Sequence, residues 1–412
     1  MGLTRRRLLG RAGVAGAGIG LGAGGYLLGH QAAEASERAG TVQFEGAHQA
    51  GIATPAQDRL HFAAFDLTID TKRELRDLLR EWSAAAAQMT AGEAIGPERE
   101  PGLAPPADTG ETIGLSPALL TITFGLGPGV FERGGADRLG LRSRKPSRLR
   151  PIPALPADAL ESGLSGGDLC VQACANDPQV AFHAIRDLAR IGRGAVVMRW
   201  SQLGFGRTSS TTRSQSTPRN LMGFKDGTNN IKADDSDQMR RFVWLGEGDQ
   251  PAWMRDGTFM VTRRIRMLLE IWDRSTLRDQ QQTIGRRKRS GAPLTGEDEF
   301  DRVDLGEKQG AHPVIPTDAH IRLAAPSSNS GERILRRGYS FTDGVVEESG
   351  ELDAGLFFIC FQRDPERQFV AVQRRLGASD ALNEYIQHTG SAVFAIPPGA
   401  RPGGYVGETL LG

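Results

Sequence analysis

Three short stretches carry side chains that could do chemistry together. The first, Gly223-Phe224-Lys225-Asp226-Gly227-Thr228-Asn229-Asn230, sets one acid among glycines and small polar residues, with no apolar periodicity to bury it. Gly and Asn accept backbone conformations that other residues resist, so the stretch is a shaped loop. Taken alone, Asp-Gly reads as a tight surface turn; inside a pocket the same carboxylate could take and return a proton. The second stretch is Arg333-Ile334-Leu335-Arg336-Arg337-Gly338-Tyr339-Ser340-Phe341. Two adjacent arginines can form a solvated face, whereas one turned into an apolar pocket would hold an anion or a developing negative charge.

The third stretch, Asp318-Ala319-His320-Ile321-Arg322-Leu323-Ala324-Ala325-Pro326, places one imidazole at the edge of a loop in an apolar strip. Such a histidine suits an axial haem ligand, with one nitrogen toward iron and the other donating to an acceptor. On its own a structural role fits His320 better. Of the seven histidines (His30, His48, His61, His183, His312, His320 and His388), no pair has the spacing of a zinc helix. His61 falls in a strand and His183 in a helix, where structural roles are the default.

Other chemistries are excluded. Gly125-Leu126-Gly127-Pro128-Gly129 follows a strand but brings its third glycine too early, and Pro128 removes a backbone donor, so nucleotide binding is discarded. Fifty basic residues balance 49 acidic ones, leaving no excess to suggest nucleic acid. The three cysteines form no disulfide framework, and none sits in a spacing for covalent haem attachment; Cys170 and Cys174 read as small core residues.

The elements that must position these residues follow from periodicity and caps. Leu60 to Ile69 alternates as a strand, and Thr71 with Glu74 makes a capping box for a helix to about Met89. Residues 119–124 form a strand, 169–175 another. Asp177-Pro178 starts a helix to about Ile191, and 195–200 is a strand again. Strand, helix, strand, strand, helix, strand is a ferredoxin-like order.

After a Ser/Thr/Arg-rich connector at 206–222, the plan repeats more loosely. Residues 258–272 read as one long strand, Ser275 opens a helix to about Arg286, and 356–361 is a buried strand. Asp364-Pro365 caps a helix through Phe369, Val370 and Val372. Leu382 to His388 reads as a shorter helix and 391–396 as a last strand. The fold class expected is α+β, two ferredoxin-like halves of the dimeric α+β barrel type, over residues 41–215 and 220–412.

The first 35 residues differ in kind. Arg5-Arg6-Arg7 precedes a weakly apolar Gly/Ala-rich run, and Ala33-Glu34-Ala35 offers a cleavage site before Ser36. This reads as a twin-arginine export signal, directing the chain to the periplasm, the cell envelope or the medium. That route carries proteins folded before export, often with a cofactor inserted.

Together the three stretches, G-F-K-D-G-T-N-N at 223–230, H-I-R-L-A-A-P at 320–326 and L-R-R-G-Y-S-F at 335–341, resemble a dye-decolorizing peroxidase. The likeness is to the exported branch that includes the iron-uptake peroxidase often called a deferrochelatase. Supporting stretches are H-Q-A-G-I at 48–52, I-T-F-G-L-G-P at 122–128, A-N-D-P-Q-V-A-F-H-A at 175–184 and I-G-R-R-K-R-S-G-A-P at 284–293.

The resemblance implies non-covalent haem b in the second half, with His320 as proximal ligand to iron. It implies Asp226 as distal acid and Arg336 as distal arginine; the slightly short loop from His320 to Arg336 leaves Arg337 as a less favoured alternative. It further implies haem contacts from Gly227, Thr228 and Asn229 and from Ala325, Pro326 and Ser327, and a carboxylate behind His320, for which Glu384 is a guess. The glycines beside Asp226 would let haem approach the backbone.

The substrates implied are hydrogen peroxide and an organic electron donor, oxidised best at acid pH because a carboxylate's reference pKa is about 4. Trp200, Trp272 and Tyr339 could carry electrons from a bulky donor. The alternative is a haem-handling protein that releases iron from haem, with an iron-uptake permease as partner; a homo-oligomer stays open.

Overall fold

The computed structural model describes residues 40–97 and 102–412. The export signal expected at 1–35 lies outside the described residues.

The first half is built from β1 (Arg59–Leu67), α1 (Lys72–Ala91), β2 (Thr121–Leu126), β3 (Leu169–Ala175), α2 (Pro178–Ile191) and β4 (Val196–Arg207). The expected caps are present. Thr71 Oγ1 accepts from Glu74 N at 3.2 Å, and Gly92 closes α1 at φ 81°. Asp177 accepts from Gln179 N at 2.7 Å ahead of Pro178. α1 turns Leu75, Leu78, Leu79, Trp82, Ala86 and Met89 inward at helical spacing. β3 is buried on both faces, which is why Leu-Cys-Val-Gln-Ala-Cys-Ala shows no alternation.

The second half opens with α3 (Ser236–Phe242), then β5 (Thr258–Met267), α4 (Leu277–Ile284) and α5 (His320–Ala324). It continues with β6 (Leu335–Arg336), β7 (Tyr339–Val345), β8 (Leu352–Gln362), α6 (Ala371–Ser379) and β9 (Ile386–Ile396).

The halves share one antiparallel sheet, in the order β5-β9-β2-β3-β1-β4-β7-β8-β6, and an additional β5–β8 pairing closes it into a barrel. Each half keeps the ferredoxin order, its fourth strand beside its first: β4-β1-β3-β2 and β9-β5-β8-β7. The seams are β4–β7 (Phe205 opposite Ser340) and β9–β2 (Ala395 opposite Leu126). Closure removes the free edges that an open sheet would present.

Phe62, Trp200, Phe357 and Phe394 fill the barrel, with Phe62 5.2 Å from Trp200 and 5.3 Å from Phe357 between ring centroids. Such pairs add about 0.5–1.5 kcal/mol each beyond their buried area. α1 and α2 cover the first half from outside, and a separate cluster around Met222, Phe224, Ile265 and Trp272 underlies the second.

Several expectations need correction. The long strand at 258–272 ends at Met267, and Leu269–Trp272 is a short helix whose Trp272 turns back under Met222. The helix expected at 382–388 is a 3₁₀ turn, Ala381–Glu384; Ile386 and His388 already pair with β5 as strand. β4 runs seven residues past Trp200, into the stretch read as connector. α3 carries no long apolar stripe and went unread. Gly127 and Gly129 prove to be packing positions: a Cβ on Gly129 would fall 1.9 Å from Asp168 Oδ1.

Candidate active site

The acid loop is fixed from several sides. Asp226 N donates to Pro218 O at 2.9 Å, and Asn230 N to Gly227 O at 2.9 Å. The Arg219 guanidinium donates to the carbonyls of Gly223, Lys288 and Arg289 at 2.7, 2.7 and 2.6 Å, tying the loop to its basic neighbour. Lys225 Nζ makes an ion pair with Glu299, and Thr228 Oγ1 donates to the same carboxylate at 3.1 Å. Glu299 therefore brackets Asp226 through residues on both sides of it.

The reason for the glycines differs from the one expected. Gly227 holds φ 86°, and a Cβ there would lie 2.9 Å from Ser209 Cα; Gly223, at φ 83°, faces Lys288. Both positions require glycine for backbone conformation and for contact with protein.

Arg336 and Arg337 point to opposite sides, as successive residues of a strand must. Arg336 Nη1 lies 2.8 Å from Asp226 Oδ1, with 27% of the arginine side chain and 12% of the acid exposed. Asn220 Nδ2 donates to the other carboxylate oxygen at 3.2 Å. Arg337 is fully buried in the first half, donating to Thr54 O at 2.5 Å, Pro55 O at 3.2 Å and Gln57 Oε1. It does not line the cavity.

Asn230 holds Arg336 in place. Its Oδ1 accepts from Arg336 N at 2.8 Å and its Nδ2 donates to Arg336 O at 2.8 Å, while Ser209 Oγ reaches the same carbonyl at 2.8 Å. The side-chain amide closes both backbone groups of Arg336 on the edge of β6 away from β8 and fixes the arginine's base.

His320 is the first residue of α5 and approaches from the opposite wall. Its Nδ1 lies 2.6 Å from Asp380 Oδ2, and Asp380 Oδ1 accepts from Leu382 N at 2.9 Å. The carboxylate behind His320 is thus Asp380, whose side chain is 2% exposed. Glu384, the residue guessed, ends the same 3₁₀ turn with its side chain exposed. Burial alone would disfavour a charged ring, but the Asp380 carboxylate, aided by Asp226, outweighs it and raises the His320 pKa above the ordinary value. With Nδ1 engaged by a carboxylate, Nε2 is the free nitrogen, and it has no protein partner among the described residues.

One cavity of about 610 Å³ joins all of these groups. Asp226, Gly227, Thr228, Asn229, Asn230 and Arg336 line one side; His320, Ala325, Pro326 and Ser327 line the other. Ile265, Met267, Leu356, Phe358, Val372 and Leu376 contribute an apolar wall, and charged residues such as Arg286, Glu299 and Arg302 complete the lining. Arg333 stands at this wall, its Nη2 donating to Asn229 O and Oδ1 at 2.7 and 2.8 Å. Every cavity residue expected from sequence is brought together.

Asp380, Asn230, Asn220, Glu299 and Arg333 were missed as site residues. Asp380 carried a legible signal, since Asp before Ala381-Leu382 is a cap, but a cap does not reveal what its other oxygen does.

Of the three aromatics considered for electron transfer, Tyr339 is fully buried and Trp200 fills the barrel. Trp272, also buried, meets Phe224 of the cavity wall edge-on at 5.9 Å and the partly exposed Tyr385 at 4.9 Å.

A closed barrel of two ferredoxin-like halves, with acid, arginine and imidazole facing one cavity, defines a class of peroxidases. Residues 49–206 match the N-terminal and 217–401 the C-terminal signature of Dyp-type peroxidases. The chain belongs to the Dyp-type peroxidase family and is a haem-dependent peroxidase. It is 38% identical to the deferrochelatase of Escherichia coli strain K12 over 374 residues, 89% of this chain and 86% of that one. Among solved structures it is similar to DtpA from Streptomyces lividans, in an oxyferrous complex, with TM-score 0.82 and 42% identity over 91% of this chain and 99% of that one. A DyP-type peroxidase from Cellulomonas bogoriensis matches with TM-score 0.80 and 39% identity over 90% of this chain and 98% of that one.

Proposed function

We propose that the cavity holds haem b without covalent attachment, that His320 Nε2 is the iron ligand, and that Asp226 and Arg336 act on hydrogen peroxide. The observation that carries this is the placement of the His320 Nε2, set free by the Nδ1–Asp380 hydrogen bond, across one cavity from an acid–arginine pair. The residues fit the group. The volume lies within the roughly 300–1,000 Å³ of ligand pockets, one wall is apolar, and the buried cysteines line none of it. Arg333, beside Asn229, and Arg302 supply positive charge for the carboxylates.

Bound haem supplies the electrons that cleave the peroxide O–O bond and afterwards draws them back, one at a time, from a donor. Asp226 takes the proton from one peroxide oxygen and delivers it to the other, which leaves as water. Its Oδ1 and Oδ2 are oriented by Arg336 and Asn220, so the exchange needs no reorganisation of the carboxylate. The Arg336 guanidinium stabilises negative charge as peroxide deprotonates. Asp380 keeps the Nδ1 proton on His320 and directs Nε2 to the metal.

His320→Ala tests the assignment: haem titrated into the variant should give no stable Soret band, and an unchanged band and stoichiometry would sink it.

A second reading, iron release from haem, is favoured by the 38% identity to proteins named deferrochelatase. It uses the same cavity. Incubating the haem-loaded chain with reductant and an iron chelator separates the two: metal-free porphyrin would support it, and intact haem with peroxide turnover would exclude it. The same proposal takes residues 41–215 and 220–412 as the two domains and 1–35 as a twin-arginine signal, testable by fusing 1–35 to an export reporter.

A further inference from the structure

A second polar cluster lies in the first half, outside the haem cavity. Asp108, His183 and Asp187 each offer one ligand atom, and the three atoms fall within 4.8 Å of one another. His183 Nε2 is 3.0 Å from Asp108 Oδ1 and 2.8 Å from Asp187 Oδ2. The side chains of His183 and Asp187 are 4% and 0% exposed, and that of Asp108 is 11% exposed. His183 and Asp187 stand one turn apart on α2, which puts both on one face; Asp108 reaches them from the connection between α1 and β2.

We propose that this triad is a binding site for a first-row divalent cation, Zn²⁺ or a cation of similar size, held by one imidazole and two carboxylates. The proposal is independent of the haem assignment.

Geometry is the first argument. Nitrogen and carboxylate ligands sit about 2.1 Å from such an ion, which holds neighbouring ligand atoms about 3.0 Å apart at right angles and about 3.4 Å apart at tetrahedral angles. The separations of 3.0 and 2.8 Å, ordinary for ion-paired hydrogen bonds, need open by only about 0.2–0.6 Å to admit the ion. A lone N–H at Nε2 cannot point well at both oxygens, whereas a cation between the three atoms uses a lone pair from each.

The ligands are also preset by their outer contacts. Thr112 Oγ1 lies 3.3 Å from His183 Nδ1, which orients the ring with Nε2 toward the carboxylates. Asp108 accepts from Ile95 N at 2.9 Å and Gly110 N at 2.7 Å. Arg190 Nε holds Asp187 Oδ1 at 3.2 Å, while Oδ2, which faces His183, also accepts from Thr109 N at 3.4 Å. Thr109, Arg186 and Arg190, neighbours of the triad, also line a separate cavity of about 400 Å³. Glu111 lies outside the 4.8 Å group and its Oε1 takes Arg186 at 3.1 Å, so water completes the coordination.

Without a cation, the two carboxylates overcome burial and raise the His183 pKa.

The test uses the full chain loaded with haem, stripped with chelator, then dialysed against Zn²⁺ and assayed for zinc and iron separately. The expected result is one zinc per chain, lost in both Asp108→Asn and Asp187→Asn, each with an unchanged Soret band. Anomalous diffraction at the zinc edge should place the ion within about 2.1 Å of His183 Nε2. No retained zinc, or zinc retained equally by both variants, overturns the site and leaves a plain ion-paired imidazole. Should Asp187→Asn fail to fold, Asp108→Asn and the diffraction peak still decide.

Discussion

Asp380 and His320 share a 2.6 Å hydrogen bond, and the same carboxylate caps the turn that follows it through Leu382 N at 2.9 Å. One acid thereby ties ring orientation to backbone position. Asp380→Ala should weaken haem affinity about 10–100-fold, the usual effect of removing a partner behind a ligating histidine. Asp380→Asn, which can still accept from Nδ1, should fall between. Haem titration into the apoprotein reads both, and wild-type affinity in the alanine variant would refute the positioning role.

Asp226 and Arg336 form a part-buried pair, so deleting either leaves the other without its partner. Asp226→Ala and Arg336→Leu should each lower the second-order rate of reaction with peroxide by about 10²–10⁴-fold, with the Soret band retained. The double variant should lose little more than the worse single variant, because the two groups act on the same peroxide. Stopped-flow mixing with peroxide measures this; two independent, additive losses would argue against a shared site.

In the proposed mechanism Asn230 acts on the reaction through Arg336. Removing its amide in Asn230→Ala strips hydrogen bonds from Arg336 N and O, leaving only Ser209 Oγ on the carbonyl. The arginine stays but loses its footing, so the rate with peroxide should fall about tenfold, less than for Arg336→Leu, at a stability cost of about 1–3 kcal/mol. Asn230→Asp, which keeps the acceptor for Arg336 N, should recover part of the rate. Equal losses in Asn230→Ala and Arg336→Leu would mean that the loop has collapsed.

Much of this was legible in the chain. Thr71, Asp177 and the alternation before them marked the first half because local rules and tertiary structure agree there. In the second half they conflict. Met267 ends β5 although Leu268 and Leu269 carry the apolar character on, and the turn into Trp272 is set by packing under Met222, which no periodicity records. Ile386 to His388 reads as helix, yet pairing with Ile265 and Met267 makes it strand. At the site, residue types in motifs pointed to the cavity. What stayed hidden were partners from far along the chain, such as Asn230 for Arg336 and Glu299 for Lys225, since hydrogen bonding at that distance leaves no local trace.

Acid should destabilise the fold through its buried neutral histidines. Burial lowers His61 from 6.5 to about 4, and its Nδ1 has no hydrogen-bond partner. His388 is lowered from 6.5 to about 3, by burial and then by Arg263. In both cases the unfolded chain takes up a proton below 6.5 that the folded chain refuses. Their contribution is therefore complete above about 6.5 and is lost as pH falls toward 4 for His61 and toward 3 for His388. Each unit corresponds to about 1.4 kcal/mol as an upper bound. His61→Leu should flatten the slope of unfolding free energy against pH between about 4 and 6.5 by close to one proton. Urea melts across that range test it, and an unchanged slope would show that His61 is protonated in the folded state.

Bulky donors need a route that does not pass through the cavity, and the contacts single out one among the aromatics. Phe224 lines the cavity two residues from Asp226, Trp272 meets it edge-on, and Tyr385 meets Trp272 with Ser275 Oγ at 3.2 Å from its hydroxyl. Trp272 and Tyr385 are the oxidisable members, and only Tyr385 is partly exposed. Lys288 Nζ, 5.9 Å from the Trp272 ring centroid, makes a cation there less favourable and so biases a hole toward Tyr385. Tyr385→Phe should leave the reaction with peroxide unchanged while cutting turnover of a large anionic dye about tenfold or more, an effect of about 1.4 kcal/mol on the barrier. A small phenol that enters the cavity should be spared. Equal loss with both donors would mean that Tyr385 matters for folding around Trp272, and no loss with the dye would send the electrons by another path.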